Sequence, residues 1–159
     1  MRNALLVLFL VNPFLLAQTI NFKEVKYIYA LDQELYKNGS IKIDDNTIIL
    51  QYSNSSQIIK YDDLFIHIIN NDEIQKIPHN ENIEYSVFFS LIKGIFQNNL
   101  TLLANSFTIN KDKDKTILIP NEYLANAIEK IEYKKQNKKL KFLRIFFLNQ
   151  DSIKITQLD

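Results

Sequence analysis

Downstream of residue 25 this chain is written mostly in short segments of period two, each closed by asparagine or aspartate. Side chains along a strand point alternately to opposite faces, so such a segment buries one side and wets the other. Val25, Tyr27, Tyr29 and Leu31 alternate with Lys26, Ile28 and Ala30, which predicts a strand with one strongly apolar face. A turn near Asp32-Gln33 leads to a second segment over 36–43, and the two read as a hairpin. Further strands are expected over 47–52, 58–61, 64–69 and 74–77, the last ended by Pro78. Asp44-Asp45-Asn46, Asn54-Ser55-Ser56, Asp62-Asp63 and Asn70-Asn71-Asp72 separate them. The chain holds only two glycines and three prolines, so its turns must rest on Asn and Asp, which tolerate left-handed backbone. Close spacing of this kind makes a meander of antiparallel neighbours.

The period changes once. Val87, Phe88, Leu91, Ile92, Ile95 and Phe96 have the i, i+3, i+4, i+7 spacing of an amphipathic helix over 85–96. Asn98-Asn99 stops it, and a short helical turn over 100–104 follows. Strands resume over 107–110, 116–120, 128–134, 139–148 and 152–158. The expected fold is therefore mainly β with one or two helices (α+β), a large antiparallel sheet crossed in mid-sequence by the helical segment.

Residues 1–17 have a different character: Arg2, an apolar run from Ala4 to Val11, the breaker Asn12-Pro13, then Phe14-Leu15-Leu16-Ala17. That order is the layout of a secretory signal peptide. The run is shorter than the roughly 20 residues that span a bilayer. An uncleaved anchor is the alternative. Residues 18–159 are then expected to form one exported domain, outside the cytoplasm. They carry as many acidic as basic side chains, a balance with no call for nucleic acid, which needs clustered positive charge. With no cysteine, neither lipid modification nor a disulfide is available, and the core alone must hold the fold.

Little in the chain points to catalysis or metal. His67 and His79 are the only histidines and have no ligand or triad spacing around them. The carboxylates are scattered, and no glycine-rich phosphate loop occurs. The expectation is a protein that is not an enzyme and uses no cofactor and no metal. Lys134, Lys135, Lys138, Lys139 and Lys141 crowd one predicted hairpin. Such lysines protect a sheet edge from pairing with other sheets, or dock an acidic partner. Bulky pairs at Tyr27/Tyr29, Ile41/Ile43, Leu50/Tyr52, Ile66/Ile68, Ile117/Ile119 and Ile145/Phe147 compete for one helical stripe. Either the core is filled, or a curled sheet keeps a concave apolar side for a ligand.

The order of these features resembles the periplasmic lipoprotein carrier family, LolA, in its shorter divergent branch. Phe22-Lys23-Glu24 is similar to the family's opening Phe-x-Glu/Gln, and Gly39-Ser40-Ile41-Lys42-Ile43 to its Gly-x-Leu-x-Tyr strand. Residues 89–107, with Gly94, Leu100, Leu103 and Phe107, resemble its helix and following strand. Ile117-Leu118-Ile119-Pro120 is similar to its Leu-x-Leu-x-Pro, and Asp151-Ser152-Ile153-Lys154-Ile155 to its closing turn and strand. Asp44-Asp45-Asn46 stands where the better-known carriers have an Arg-Pro pair. The resemblance implies a half-open antiparallel β-barrel with a helical lid. It also implies an acyl-bearing lipoprotein or lipid as cargo, moved toward the outer membrane, and transfer proteins of the two membranes as partners. The cavity is then expected to be lined by Tyr27, Tyr29, Ile41, Ile43, Leu50, Tyr52, Ile66, Ile68, Phe88, Ile92, Phe96, Ile117 and Ile119. The alternative is a periplasmic interaction component of an envelope assembly, with a filled core and the lysine hairpin as its contact.

Overall fold

The computed structural model describes residues 18–159, so the expected signal segment lies outside the described residues. Pairing begins at once. β1 (Gln18–Ile28) and β2 (Gln33–Ile43) form an antiparallel hairpin in unbroken register from Gln18↔Ile43 to Ile28↔Gln33. A turn of 3-10 helix over Tyr29–Leu31 joins them, so the apolar alternation leaves the sheet two residues after Tyr27. The meander continues through β3 (Ile48–Tyr52), β4 (Ile58–Tyr61), β5 (Phe65–Asn70) and β6 (Glu73–Pro78). Helices α1 (Ile83–Phe96) and α2 (Leu100–Ala104) follow. The chain ends in β7 (Phe107–Asp112), β8 (Lys115–Pro120), β9 (Ile128–Gln136), β10 (Lys139–Phe147) and β11 (Ser152–Gln157).

All eleven strands belong to one sheet in the order β6-β5-β4-β3-β2-β1-β11-β10-β9-β8-β7. Only the β1–β11 pairing joins distant parts of the chain, stitching the first meander to the second. The edge strands β6 and β7 stay unpaired with each other, and the helices form the connection between them. The result is the expected half-open barrel with a helical lid. Among the described residues no helix is long and apolar enough to cross a membrane.

The turns follow the expected chemistry at half of the left-handed positions among the described residues, while Lys113, Glu122, Lys138 and Gln150 occupy the rest. Asp32, Asn71, Asn98 and Asn137 take left-handed backbone, while neither glycine does. The glycines serve close approach instead. A Cβ on Gly39 would lie 2.5 Å from the Gln51 carbonyl oxygen and 2.7 Å from the Phe22 ring. A Cβ on Gly94 would lie 2.6 Å from Leu103, where α2 packs on α1.

Register lays apolar rows across the inner face. Ile20, Ile41, Leu50 and Ile59 are successive cross-strand neighbours and all are buried. So are Ile145, Ile131 and Leu118 on the other half. Phe89, Leu91, Ile92 and Ile95 of α1 complete the same core, each such side chain contributing about 1.5–3 kcal/mol. The helix is capped at both ends. The Asn82 side chain accepts from Tyr85 N at 3.1 Å, and Lys135 Nζ donates to the Ile95 carbonyl at 2.9 Å. His79 stacks on Tyr61 at 4.5 Å, and Tyr61 stacks on Phe89 at 5.0 Å, tying the start of the lid to β4.

Gly94→Ala is expected to cost about 1–3 kcal/mol through overpacking, and Gly39→Ala more, since a backbone carbonyl cannot swing aside. Urea unfolding of both variants checks the order. A second expectation concerns acid. Burial opposes ionisation of Asp62, but the N–H groups of Phe65 and Leu64 and the His67 ring outweigh it and bring its carboxyl down to about 2. The bonded carboxylate therefore stabilises the fold above its unfolded value of about 3.9, and that contribution is lost as pH falls through about 2. Thermal melts of Asp62→Asn should show a deficit against the wild type at pH 7 that narrows below about pH 3.9 and closes as pH falls through about 2.

Candidate functional site

The interior is filled at one end and open at the other. Towards the C-terminal half of α1, Leu91, Ile92 and Ile95 are fully packed. Beneath its N-terminal half lies a cavity of about 800 Å³, bordered by Ile83, Glu84, Tyr85, Val87 and Phe88 of the helix. Leu50, Ile145, Phe147, Ile153 and Ile155 form its apolar floor, and Tyr123 and Leu124 close one side from a 3-10 segment over Glu122–Asn126.

Polar groups from β1, β2, the β3–β4 and β10–β11 loops and the first turn of α1 also border this space. Glu24 faces inward from β1 and is only 8% exposed. The Tyr52 hydroxyl donates to its Oε2 at 2.6 Å. Burial, and then the bond to this carboxylate, push the Tyr52 phenol well above its ordinary range, so it stays protonated and a donor. Phe22 meets the Tyr52 ring edge-on at 5.9 Å, and the Lys37 ammonium lies 4.9 Å from its centre. Lys26 lines the cavity two residues beyond Glu24 on the same face.

Of the residues expected to line a cavity, Leu50, Tyr52 and Phe88 do so. Ile41, Ile43, Ile66 and Ile92 sit in the packed core, and Ile68 and Phe96 are partly buried against it. Tyr27 lies on the outer face, its hydroxyl 3.0 Å from Asp32, beside a groove of about 420 Å³ between β1, β2, β10 and β11. Tyr29 is exposed in the 3-10 turn. On β8, Leu118 points inward, which leaves Ile117 half-buried and Ile119 exposed on the outer face. The physical reason is the one-residue register rule: a strand that turns its other face inward exchanges its whole set.

Glu24, Lys26, Ile153 and Ile155 also border the cavity, although they are not among the residues expected to line it. The signal for them was present in Ile20-x-Phe22-x-Glu24, whose alternation begins before Val25 and continues through the charge. The 3-10 segment carrying Tyr123 and Leu124 has no period and no such signal.

The lysine hairpin is largely occupied by its own protein. Lys134 pairs with Asp114, and Lys139 with Asp159 at 2.6 Å. Lys135 donates to Ile95 O and to Asn98 Oδ1, both at 2.9 Å, and burial lowers its pKa. Lys138 and Lys141 are exposed. The hairpin tip also lies at the far end of β9 and β10 from Ile128 and Phe147, which border the cavity. His67 pairs with Asp62 at 2.7 Å on β5, and His79 lies under the start of the lid. Among the described residues no group of three His, Cys, Asp or Glu is placed to hold a metal ion.

No family model matches the chain, and no curated protein sequence does. A solved structure of a LolA superfamily protein from Nitrosomonas europaea is similar to it, at 6% identity with a TM-score of 0.44, covering 90% of this chain and 84% of that one.

Lys135→Ala is expected to destabilise the fold by about 1–3 kcal/mol, through loss of charged hydrogen bonds at a helix C-terminus. Lys138→Ala and Lys141→Ala are expected to leave the unfolding midpoint unchanged. Denaturant titration of the three variants separates a structural lysine from solvated ones.

Proposed function

We propose that this protein binds and carries an acylated hydrophobic cargo, a lipid or a lipoprotein, by sequestering its acyl chain in the cavity beneath α1. The observation that carries the reading is the uneven interior: one end packed, the other an apolar chamber of about 800 Å³ under a helix. Each methylene hidden from water is worth about 0.8 kcal/mol, so a sixteen-carbon chain costs about 12 kcal/mol to expose. A shuttle through an aqueous compartment must hide most of that surface, and smooth apolar walls allow the chain to slide out again at an acceptor. Such a task needs no catalytic residue, cofactor or metal, and we propose a non-enzymatic protein. The export-type segment at residues 1–17 supports a periplasmic place of work, between a donor at the inner membrane and an acceptor at the outer one.

The alternative of an interaction component rests on a filled core and a free lysine hairpin. The cavity and the internal partners of Lys134, Lys135 and Lys139 weigh against it.

Val87 and Phe88 give the test, because both border the cavity and neither belongs to the fully buried core. Phe88→Glu is expected to lower the affinity for a fluorescent acyl probe by about a hundredfold, the size of one charge placed in an apolar contact. The β-sheet circular dichroism should not change. Undiminished binding by a folded Phe88→Glu variant would place the acyl site elsewhere.

A further inference from the structure

We propose that Glu24, Tyr52, Lys26 and Lys37 form a headgroup subsite for a glycerophospholipid with a free glycerol hydroxyl, a proposal that rests on the acyl-carrier reading above. Along the inner face of β1 the environment changes in steps. Ile20 and Phe22 are 2% and 1% exposed, Glu24 is 8% exposed, and Lys26 is half-buried at the cavity wall. Apolar contact, a hydrogen-bond acceptor and a positive charge thus follow one another toward the mouth, about 7 Å apart at alternate residues of a strand.

Each step matches a part of one kind of amphiphile. The Glu24 carboxylate has room for about four hydrogen bonds. Tyr52 supplies one of them. Among the described residues no Lys, Arg or His nitrogen forms an ion pair with it. Its other oxygen is not among the buried atoms left without a partner and so stays open to the cavity, where a ligand hydroxyl beside the acyl ester can donate to it. A free fatty acid would instead set its own carboxylate against Glu24 in a poorly screened space. Beyond Glu24, Lys26 and Lys37 border the cavity from adjacent strands and suit a phosphate, which lysine binds as a point charge. Lys37 is aligned with Glu24 across the β1–β2 ladder, so carboxylate and ammonium meet the same ligand from neighbouring strands.

The test is a competition read by native mass spectrometry. The purified protein is offered equal concentrations of 1-palmitoyl-lysophosphatidylglycerol and palmitate at pH 7.5, a value about three units above a carboxyl's ordinary range. The lysophospholipid is expected to be retained about tenfold over palmitate, the effect of one hydrogen bond to a charged group. Glu24→Gln should bring the two ligands within about twofold, chiefly by admitting palmitate. Lys26→Ala/Lys37→Ala should weaken the lysophospholipid but leave 1-palmitoylglycerol unchanged. Palmitate bound as well as the lysophospholipid by the wild type overturns the subsite and leaves the carrier reading in place. Retention of none of the three ligands overturns the carrier reading itself. Should Glu24→Gln not fold, the wild-type ranking and the lysine variant decide alone.

Discussion

Phe22 rests on the bare Cα of Gly39, and the chemistry of the interior depends on that contact. Any side chain at position 39 would strike the Phe22 ring or the Gln51 carbonyl, so the ring, the glycine and β3 fit together in a single register. A slip of one residue between β1 and β2 would drive a side chain into that space and turn Ile20, Phe22 and Glu24 outward. Among the described residues the same strand also makes the only strand pairing between the two meanders, with β11. Fixing Phe22 therefore fixes which face of β11 looks inward, and with it Ile153 and Ile155 on the cavity floor. A motif that reads in sequence as a strand opening is, physically, the pin that orients the barrel.

The helix α1 divides the interior by its own composition. Its C-terminal half carries Leu91, Ile92 and Ile95 and is held by the tight seat of Leu103 on Gly94 and by Lys135 at its last carbonyls. Its N-terminal half carries Ile83, Val87 and Phe88 and is held by the Asn82 cap, by the Ser86 hydroxyl donating to the His79 carbonyl at 2.6 Å, and by the stack through Tyr61 and His79. The Nε2 atom of that histidine is buried without a partner, so the anchor at this end is not fully satisfied. Burial thus falls along one helix toward its N-terminus, and the cavity lies at that less buried end. A chamber in a small protein persists only where neighbouring side chains cannot collapse into it. The Glu24–Tyr52 pair helps here, because a bonded carboxylate cannot be covered by aliphatic groups without loss of its remaining hydrogen-bonding capacity.

Most of the architecture was legible in period and turn chemistry. The strand segments, the helix over 85–96, the short helix over 100–104 and the Asn/Asp turns all correspond to observed elements. Faces were harder. On β8 the run Thr116-Ile117-Leu118-Ile119 is apolar almost throughout, so period two gives no preference, and the pairing of Leu118 with Ile131 decides it. On β1 the reading began at Val25 and followed apolar character to Tyr27 and Tyr29, whereas the strand begins at Gln18 and turns Glu24 and Lys26 inward. Alternation rules assume that charge faces water, and they fail where a cavity receives polar groups. Lys135 shows the converse failure: a lysine among lysines looks solvated, and only the arrival of a helix end from forty residues away gives it a partner.

A wholly apolar chamber would be a simpler trap for an acyl chain, but a poorer carrier. Affinity for a long chain grows by about 0.8 kcal/mol with every methylene, and nothing in such a wall limits how deep the chain goes or which lipid enters. A carboxylate part-way up the wall sets a depth, because the chain can fill the space below it while the polar end stops where hydrogen bonds are available. It also converts one kind of binding into discrimination, since an unmatched group at that level leaves a buried charge less satisfied. On the proposed carrier reading, release would require only that the same bonds be offered elsewhere. The inward turn of Glu24 runs against the pattern that built the rest of the sheet, and with Tyr52 it places a buried polar pair beside the apolar floor of the cavity.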